Sequence, residues 1–205
     1  MCSATALIPK SFFCAAPKMK SKEPLILSVG RITKIKNLET LVRAAGILKA
    51  RIAEKFVVRI IGDAVTAEDR ALKTDLERQI FDSGLAGTVV LMGSAPHDRM
   101  PEVYCSADLS VNLAPTGGVD KAVLESMACG VPAFSSNRAF APLFGPFAPS
   151  LVFRHGDAED LAEKIARFFA ATPSDIGARL RQSVIAEHDI ASRVSDILGL
   201  LGDPA

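Results

Sequence analysis

The chain has 205 residues and a mass of 21.7 kDa, with 49% hydrophobic and 23% charged residues, enough for one folded domain with a full core and too apolar for intrinsic disorder. Lys and Arg total 24 against 23 Asp and Glu, a net charge of +1, which excludes a nucleic-acid binder that works through a general basic field. A single Tyr and no Trp also remove the stacking platforms of single-strand binders.

In chain order, residues 1–22 read as an irregular N-terminal lead-in. MCSATALIPK lacks a basic stretch before its apolar one, and Pro9 and Lys10 interrupt it, so a signal peptide is not expected. Lys10, Lys18, Lys20 and Lys22 stand among prolines and small residues as a solvated terminus, with contact to acidic lipid as the alternative. From Leu25 onward short apolar runs alternate with helical patterns. Strands are expected at 25–30, 56–63, 88–93, 108–114 and 131–136, with a sixth at 150–154. Between them, Leu38, Leu41, Val42, Ala45 and Leu48 share one helical face, and so do Leu72, Leu76 and Ile80. RMPEVYCSA reads as a short helix and VDKAVLESMACG as a helix ended by Gly130. Residues 137–149 read as a packed loop, and helices within 158–171 and about 174–201 close the chain. Strands that are apolar throughout and spaced by helices call for a doubly wound, mostly parallel α/β sheet of about six strands, with helices on both faces. No apolar run approaches the ~20 residues of a membrane span. Cys2, Cys14, Cys105 and Cys129 show neither CxxC pairing nor metal spacing to a His, so neither a disulfide scaffold nor a structural zinc site is expected, and a reduced, cytoplasmic protein fits this usage.

In such sheets ligands bind beyond the carboxyl ends of the strands. After the first strand, Gly30-Arg31-Ile32-Thr33-Lys34-Ile35-Lys36-Asn37 carries three cations, suited to a phosphate or to an ordinary solvated turn, with Asn37 in position to cap the next helix. It is not the GxGxxG of a nicotinamide dinucleotide site, and no GxxxxGK[ST] loop is present. After the fourth strand, Gly117 and Gly118 leave backbone N–H groups open at the start of a helix, a ready anion site. Asp120 suits that first turn. Lys121 opposes the helix dipole there unless a ligand phosphate offsets it, or it pairs with Glu125 one turn on. Glu125 is flanked by core positions and is therefore either functional or an exposed edge residue. Asp63 reads as a loop start, and His97 and Asp98 as a rim. His155 and His188 stand far apart and support no catalytic arrangement.

These segments resemble the C-terminal, donor-binding domain of glycosyltransferase family 4, the group 1 glycosyltransferases of the GT-B fold. The stretches that carry the likeness are ILSVGRITKIKNLETLVRAAGILK, VVRIIGD, VVLMGSAPHDRMPEVYCSADLSVNLAPTGGVDKAVLESMACGVPAFSSN and FRHGDAEDLAEKIARFF, in the family's order over roughly 25–170. The resemblance implies a Rossmann-like half of a GT-B enzyme at 23–188, a remnant of the inter-domain linker at 1–22, and a C-terminal helix and tail at 189–205. It implies that Arg31 and Lys36, beside Gly30, hold the diphosphate of a nucleotide-sugar and act catalytically. Glu125 would accept from the ribose hydroxyls, Gly117 and Gly118 would face the phosphates or the sugar, and Gly93 would lie near the base. The implied chemistry is sugar transfer with retention of configuration and no active-site metal or other cofactor, the nucleotide-diphosphate-sugar being substrate.

Two departures stand out. The family often carries paired glutamates eight positions apart, and Gly117 occupies the earlier position, so that Asp120 or Lys121 is a candidate for part of that glutamate's work. Only the donor half matches. The expectation is therefore a gene fragment, or one chain of a split enzyme whose acceptor-binding domain is separate, cytoplasmic or peripheral at the inner membrane face. The competing reading is a non-catalytic nucleotide-binding or scaffold module.

Overall fold

Five of the short apolar runs become strands: β1 (Leu25–Val29), β2 (Val57–Ile61), β3 (Val89–Gly93), β4 (Leu109–Asn112) and β5 (Ala133–Ser135). All pair in parallel, in the order β3-β2-β1-β4-β5. The computed structural model describes Phe12 and residues 23–115, 120–171 and 175–188. The helices are α1 (Leu38–Arg51), α2 (Ala67–Asp82), α3 (Met100–Ser106), α4 (Lys121–Ala128), α5 (Ala141–Phe144), α6 (Ala148–Leu151), α7 (Ala158–Ala171) and α8 (Ile176–His188).

The chain builds outward from β1 to β2 and β3, then returns to the far side of β1 for β4 and β5. Right-handed crossovers put the helices of those two excursions on opposite faces of the sheet. Thus α1 packs with α2 and α7, whereas α4 packs with α3 and α8. Ile26, Leu27, Val58, Ile60, Leu109 and Phe134 are consequently buried whichever way they point, as a sheet covered on both sides requires. The reversal opens a crevice beyond the carboxyl ends of β1 and β4, which is where such sheets bind ligands.

The sixth expected strand is corrected. Ala148–Leu151 is helical, and Val152 alone bridges to Ser135. Residues 137–149 are a run of short helical turns, with Phe140 and Phe144 stacked at 5.9 Å between ring centroids. The closing helix is described as far as His188, and the apolar stripe expected at Ile190, Val194, Ile197 and Leu201 lies outside the described residues.

The lead-in also lies outside the described residues, except for Phe12. This side chain is 1% exposed, against the rings of Tyr104 and His97, and its carbonyl accepts from the Cys129 thiol at 3.1 Å. A solvated terminus does not describe that residue. Burial pushes the Cys129 thiol up to about 12, so it is an inert core group. Cys105 is disulfide-bonded, against the reduced state expected from cysteine usage. Among the described residues no helix is long and apolar enough to cross a membrane.

Candidate functional site

Glycine sets the floor of the crevice. Gly30, at φ +143°, follows β1, and a Cβ there would stand 2.9 Å from Lys36 Cε. The missing side chain therefore makes room for the lysine to lie back across the strand end. Gly62, at φ +140°, follows β2, and its Cβ would fall 2.0 Å from the Gly30 carbonyl oxygen. Backbone bonds lock the two loops: Gly30 N–H donates to the Ile61 carbonyl at 2.9 Å and Ile32 N–H to the Asp63 carbonyl at 3.1 Å. A short helical turn, Lys34–Lys36, then delivers Lys36 back toward the sheet. Asn37 does occupy the cap position of α1, in left-handed geometry, but its side chain accepts from the Thr40 hydroxyl at 3.0 Å rather than from a helix N–H.

Across the crevice, Asp120 is the N-cap of α4, accepting from Ala122 N–H at 3.1 Å. Its Oδ2 also receives Lys36 Nζ at 2.6 Å and Asn112 Nδ2 at 2.8 Å. Two loops 84 residues apart in the chain thus meet in one ion pair at the switch point. Burial pushes the Asp120 carboxyl up, but the Lys36 hydrogen bond and charge, the Asn112 amide and the Ala122 N–H outweigh it and hold the group below the usual carboxylate range. A carboxyl depressed on folding contributes stability that is fully present above its unfolded value, about 3.9, and is lost as pH falls through the folded value. Asp120→Asn keeps a capping oxygen and removes the charge. The melting-temperature gap between wild type and this variant should be widest near pH 7 and close as both are melted toward pH 3. A gap independent of pH would show that the ion pair adds nothing.

One turn further along α4, Glu125 is 6% exposed, which settles the sequence-level choice against an exposed edge residue. Its Oε2 accepts from Tyr104 Oη at 3.0 Å and its Oε1 faces Lys121 Nζ at 3.2 Å. The bland pairing of Lys121 with Glu125 is thus present in the structure. Two further buried atoms lie at this edge of the sheet. Among the described residues, Asn112 Oδ1 and Ser136 Oγ have no hydrogen-bond partner, and the Ser136 N–H donates to the Asn112 carbonyl at 3.1 Å.

The structure therefore brings together Gly30, Lys36 and Asp120, with Lys121 and Glu125 on the adjoining turn. Arg31 stands apart from that pair. It is exposed and makes no hydrogen bond or ion pair among the described residues. Its guanidinium is near enough to α2 that, after the Thr66 N–H, it helps hold the Asp69 carboxyl below the usual range. Gly93, at φ +73°, ends β3 two strands away from β1, with its carbonyl accepting from Gly62 N–H at 2.8 Å. Gly117 and Gly118 lie outside the described residues. Asp63 does start a loop, pairing with Lys73 at 3.0 Å, and His97 packs on Phe12 with ring centroids 5.7 Å apart. Sequence reasoning missed Asn112 and Tyr104; the available signal was an amide side chain inside the VNLA run that ends β4. Among the described residues no three His, Cys, Asp or Glu side chains gather as a metal site.

Comparison with known proteins bears on this arrangement. A family model described as "Glycosyl transferases group 1" matches residues 11–183. The amylovoran biosynthesis glycosyltransferase AmsK of Erwinia amylovora is 31% identical over 158 residues, covering 71% of this chain and 36% of AmsK. HepE of Anabaena, solved in complex with UDP, superposes with a TM-score of 0.76 at 18% identity, over 88% of this chain and 49% of HepE. The C-terminal domain of LpcC, a glycosyl transferase group 1 family protein of Francisella tularensis, gives a TM-score of 0.71 at 19% identity, over 82% of this chain and 89% of that domain. At those identities the two structures establish the fold. The chain spans between about a quarter and a little over a third of the curated relatives it matches, 27% and 36% in two cases.

Proposed function

The chain belongs to the group 1 glycosyl transferases, and from that premise we propose that it is the donor-binding domain of such an enzyme. It binds a nucleotide-diphosphate-sugar at the crevice between β1 and β4 and contributes to sugar transfer with retention of configuration. The acceptor is bound by a separate domain or chain. The observation that carries this reading is the convergence of Lys36 and the start of α4 at the topological switch point, through the 2.6 Å contact with Asp120. UDP in complex with a protein of the same fold supports it, and the role of AmsK in amylovoran biosynthesis supports a polysaccharide product. Peripheral attachment at the inner face of the membrane would fit such a product.

Breaking the bond between the anomeric carbon and its phosphate oxygen leaves the electron pair, and so growing negative charge, on the departing diphosphate. Lys36 and Arg31, together with the N-terminal end of α4, stabilise that charge without calling on a metal ion. One well-placed electrostatic group is worth on the order of 3 kcal/mol in a site of this kind. Lys36 is pre-positioned by Asp120, and Arg31, which makes no hydrogen bond or close ion pair among the described residues, can turn to the diphosphate without breaking one. Glu125 accepts from the ribose hydroxyls.

Calorimetric titration with UDP, GDP and ADP tests this directly. One of the three should release heat of binding, and Arg31→Ala should weaken that binding about tenfold or more, the value of a hydrogen bond to a charged group. No heat with any of the three would overturn the reading. Gly117, in place of the family's earlier glutamate, favours a second reading, a nucleotide-binding module without transfer. Supplying an acceptor half in trans separates the two, because the module binds and never transfers.

A further inference from the structure

We infer that Tyr104 is a positioning residue for Glu125, its buried hydroxyl fixing the carboxylate in the orientation that accepts from a ribose. The inference rests on the donor-site reading above.

Glu125 lies in a stretch of α4 where Val123, Leu124, Ser126, Met127 and Ala128 are all buried, so the helix is enclosed on every side there. A carboxylate among such neighbours must be hydrogen-bonded or turn away to water. Two groups hold it, and they differ in kind. Lys121 is 48% exposed and reaches forward from one turn earlier, the less favourable order for such pairs; it has a flexible stem and water as an alternative partner. Tyr104 is 0% exposed, its ring packed against Phe12 with centroids 6.2 Å apart. Water does not reach its hydroxyl, so the Glu125 carboxylate is the partner that satisfies it. Lys121 is thus the exchangeable partner and Tyr104 the fixed one. Burial, reinforced by the Glu125 charge, pushes the Tyr104 hydroxyl well above its ordinary range, so it stays a donor at any working pH. Each carboxylate oxygen has two acceptor positions. With one position of Oε2 taken by Tyr104, the carboxylate is held in one orientation, and Oε1, whose partner is the half-exposed Lys121 ammonium, is the oxygen that an incoming vicinal diol would meet.

The test compares a nucleoside diphosphate with its 2′-deoxy counterpart by calorimetry, in wild type and Tyr104→Phe. Wild type should prefer the ribonucleotide by about fivefold or more, the worth of one hydrogen bond. Tyr104→Phe should lose that preference while binding the deoxynucleotide as wild type does. A preference unchanged in Tyr104→Phe overturns the positioning role and leaves the donor-site reading standing. Equal binding of both nucleotides by wild type overturns the ribose role of Glu125, and this inference with it. A readout that needs no variant is available, because Tyr104 is the only tyrosine and the chain has no Trp. Tyrosine emission should change more on adding the ribonucleotide than on adding the deoxynucleotide, and equal changes would overturn the inference.

Discussion

Lys36→Ala is expected to raise the dissociation constant for a nucleoside diphosphate about 10- to 100-fold, the loss of one charge-assisted hydrogen bond and its Coulombic share. Three features make this position sensitive. Gly30 lacks the Cβ that would crowd the lysine stem at 2.9 Å, so the side chain has a prepared bed. Asp120 grips its ammonium at 2.6 Å, which fixes the group before any ligand arrives. Removing the lysine also leaves that carboxylate facing the incoming phosphates, so repulsion adds to lost attraction. The variant should lose about 1 kcal/mol of stability as well, because a half-buried carboxylate loses one of its partners. Calorimetry and thermal melting on Lys36→Ala and on Lys36→Ala with Asp120→Asn separate the two effects. The double variant should regain stability and remain a poor binder, and recovery of full affinity would remove Lys36 from the site.

Gly62→Ala is expected to have the largest effect on folding. Its Cβ would fall 2.0 Å from the Gly30 carbonyl oxygen, and the neighbour is backbone rather than a yielding side-chain tip. The φ of +140° adds strain of its own for an L-residue. Together they should cost about 3 kcal/mol or more, a fall in melting temperature of roughly 10 °C for a chain of this size. Gly84→Ala is the control. It too has a positive φ, +64°, but nothing lies within 4 Å of its Cβ, so only the intrinsic left-handed penalty of about 1 kcal/mol remains. Similar melting temperatures for the two variants would show that the close approach of the β1 and β2 loops is relaxed in solution. Because Gly62 supports the loop that carries Gly30 and Arg31, nucleotide affinity should fall with stability.

The elements that reveal themselves in the sequence are those with their own period or composition. The apolar runs at 25–30 and 56–63 need no partner to be read as buried strands, and α1 announces itself through Leu38, Leu41, Val42, Ala45 and Leu48. SLVFR does not reveal its form, since a run that short fits a strand or a buried helix end equally. The neighbouring Ala148-Pro149 turns decide it: α6 runs to Leu151 and only Val152 bridges to the sheet. The site divides the same way. Lys121 with Glu125 is a local spacing and can be read directly. Lys36 with Asp120 is a meeting across the switch point, which depends on strand order and leaves no trace in either loop alone. Phe12, in a stretch without periodicity, is buried because Tyr104, His97 and Cys129 make a place for it.

The lysines at this crevice are already matched, Lys36 by Asp120 and Lys121 by Glu125. Opposite charges in contact cancel within a few ångströms, so each couple looks like a dipole, and its reach into solvent is shorter than the ~8 Å screening length of physiological salt. A free dianion drifting past is therefore drawn by Arg31, unpaired among the described residues, and not by these two lysines. Discrimination is postponed to the moment of touch, when a phosphate must compete with a carboxylate for the same ammonium, and ions that merely carry charge without the right shape gain little by arriving.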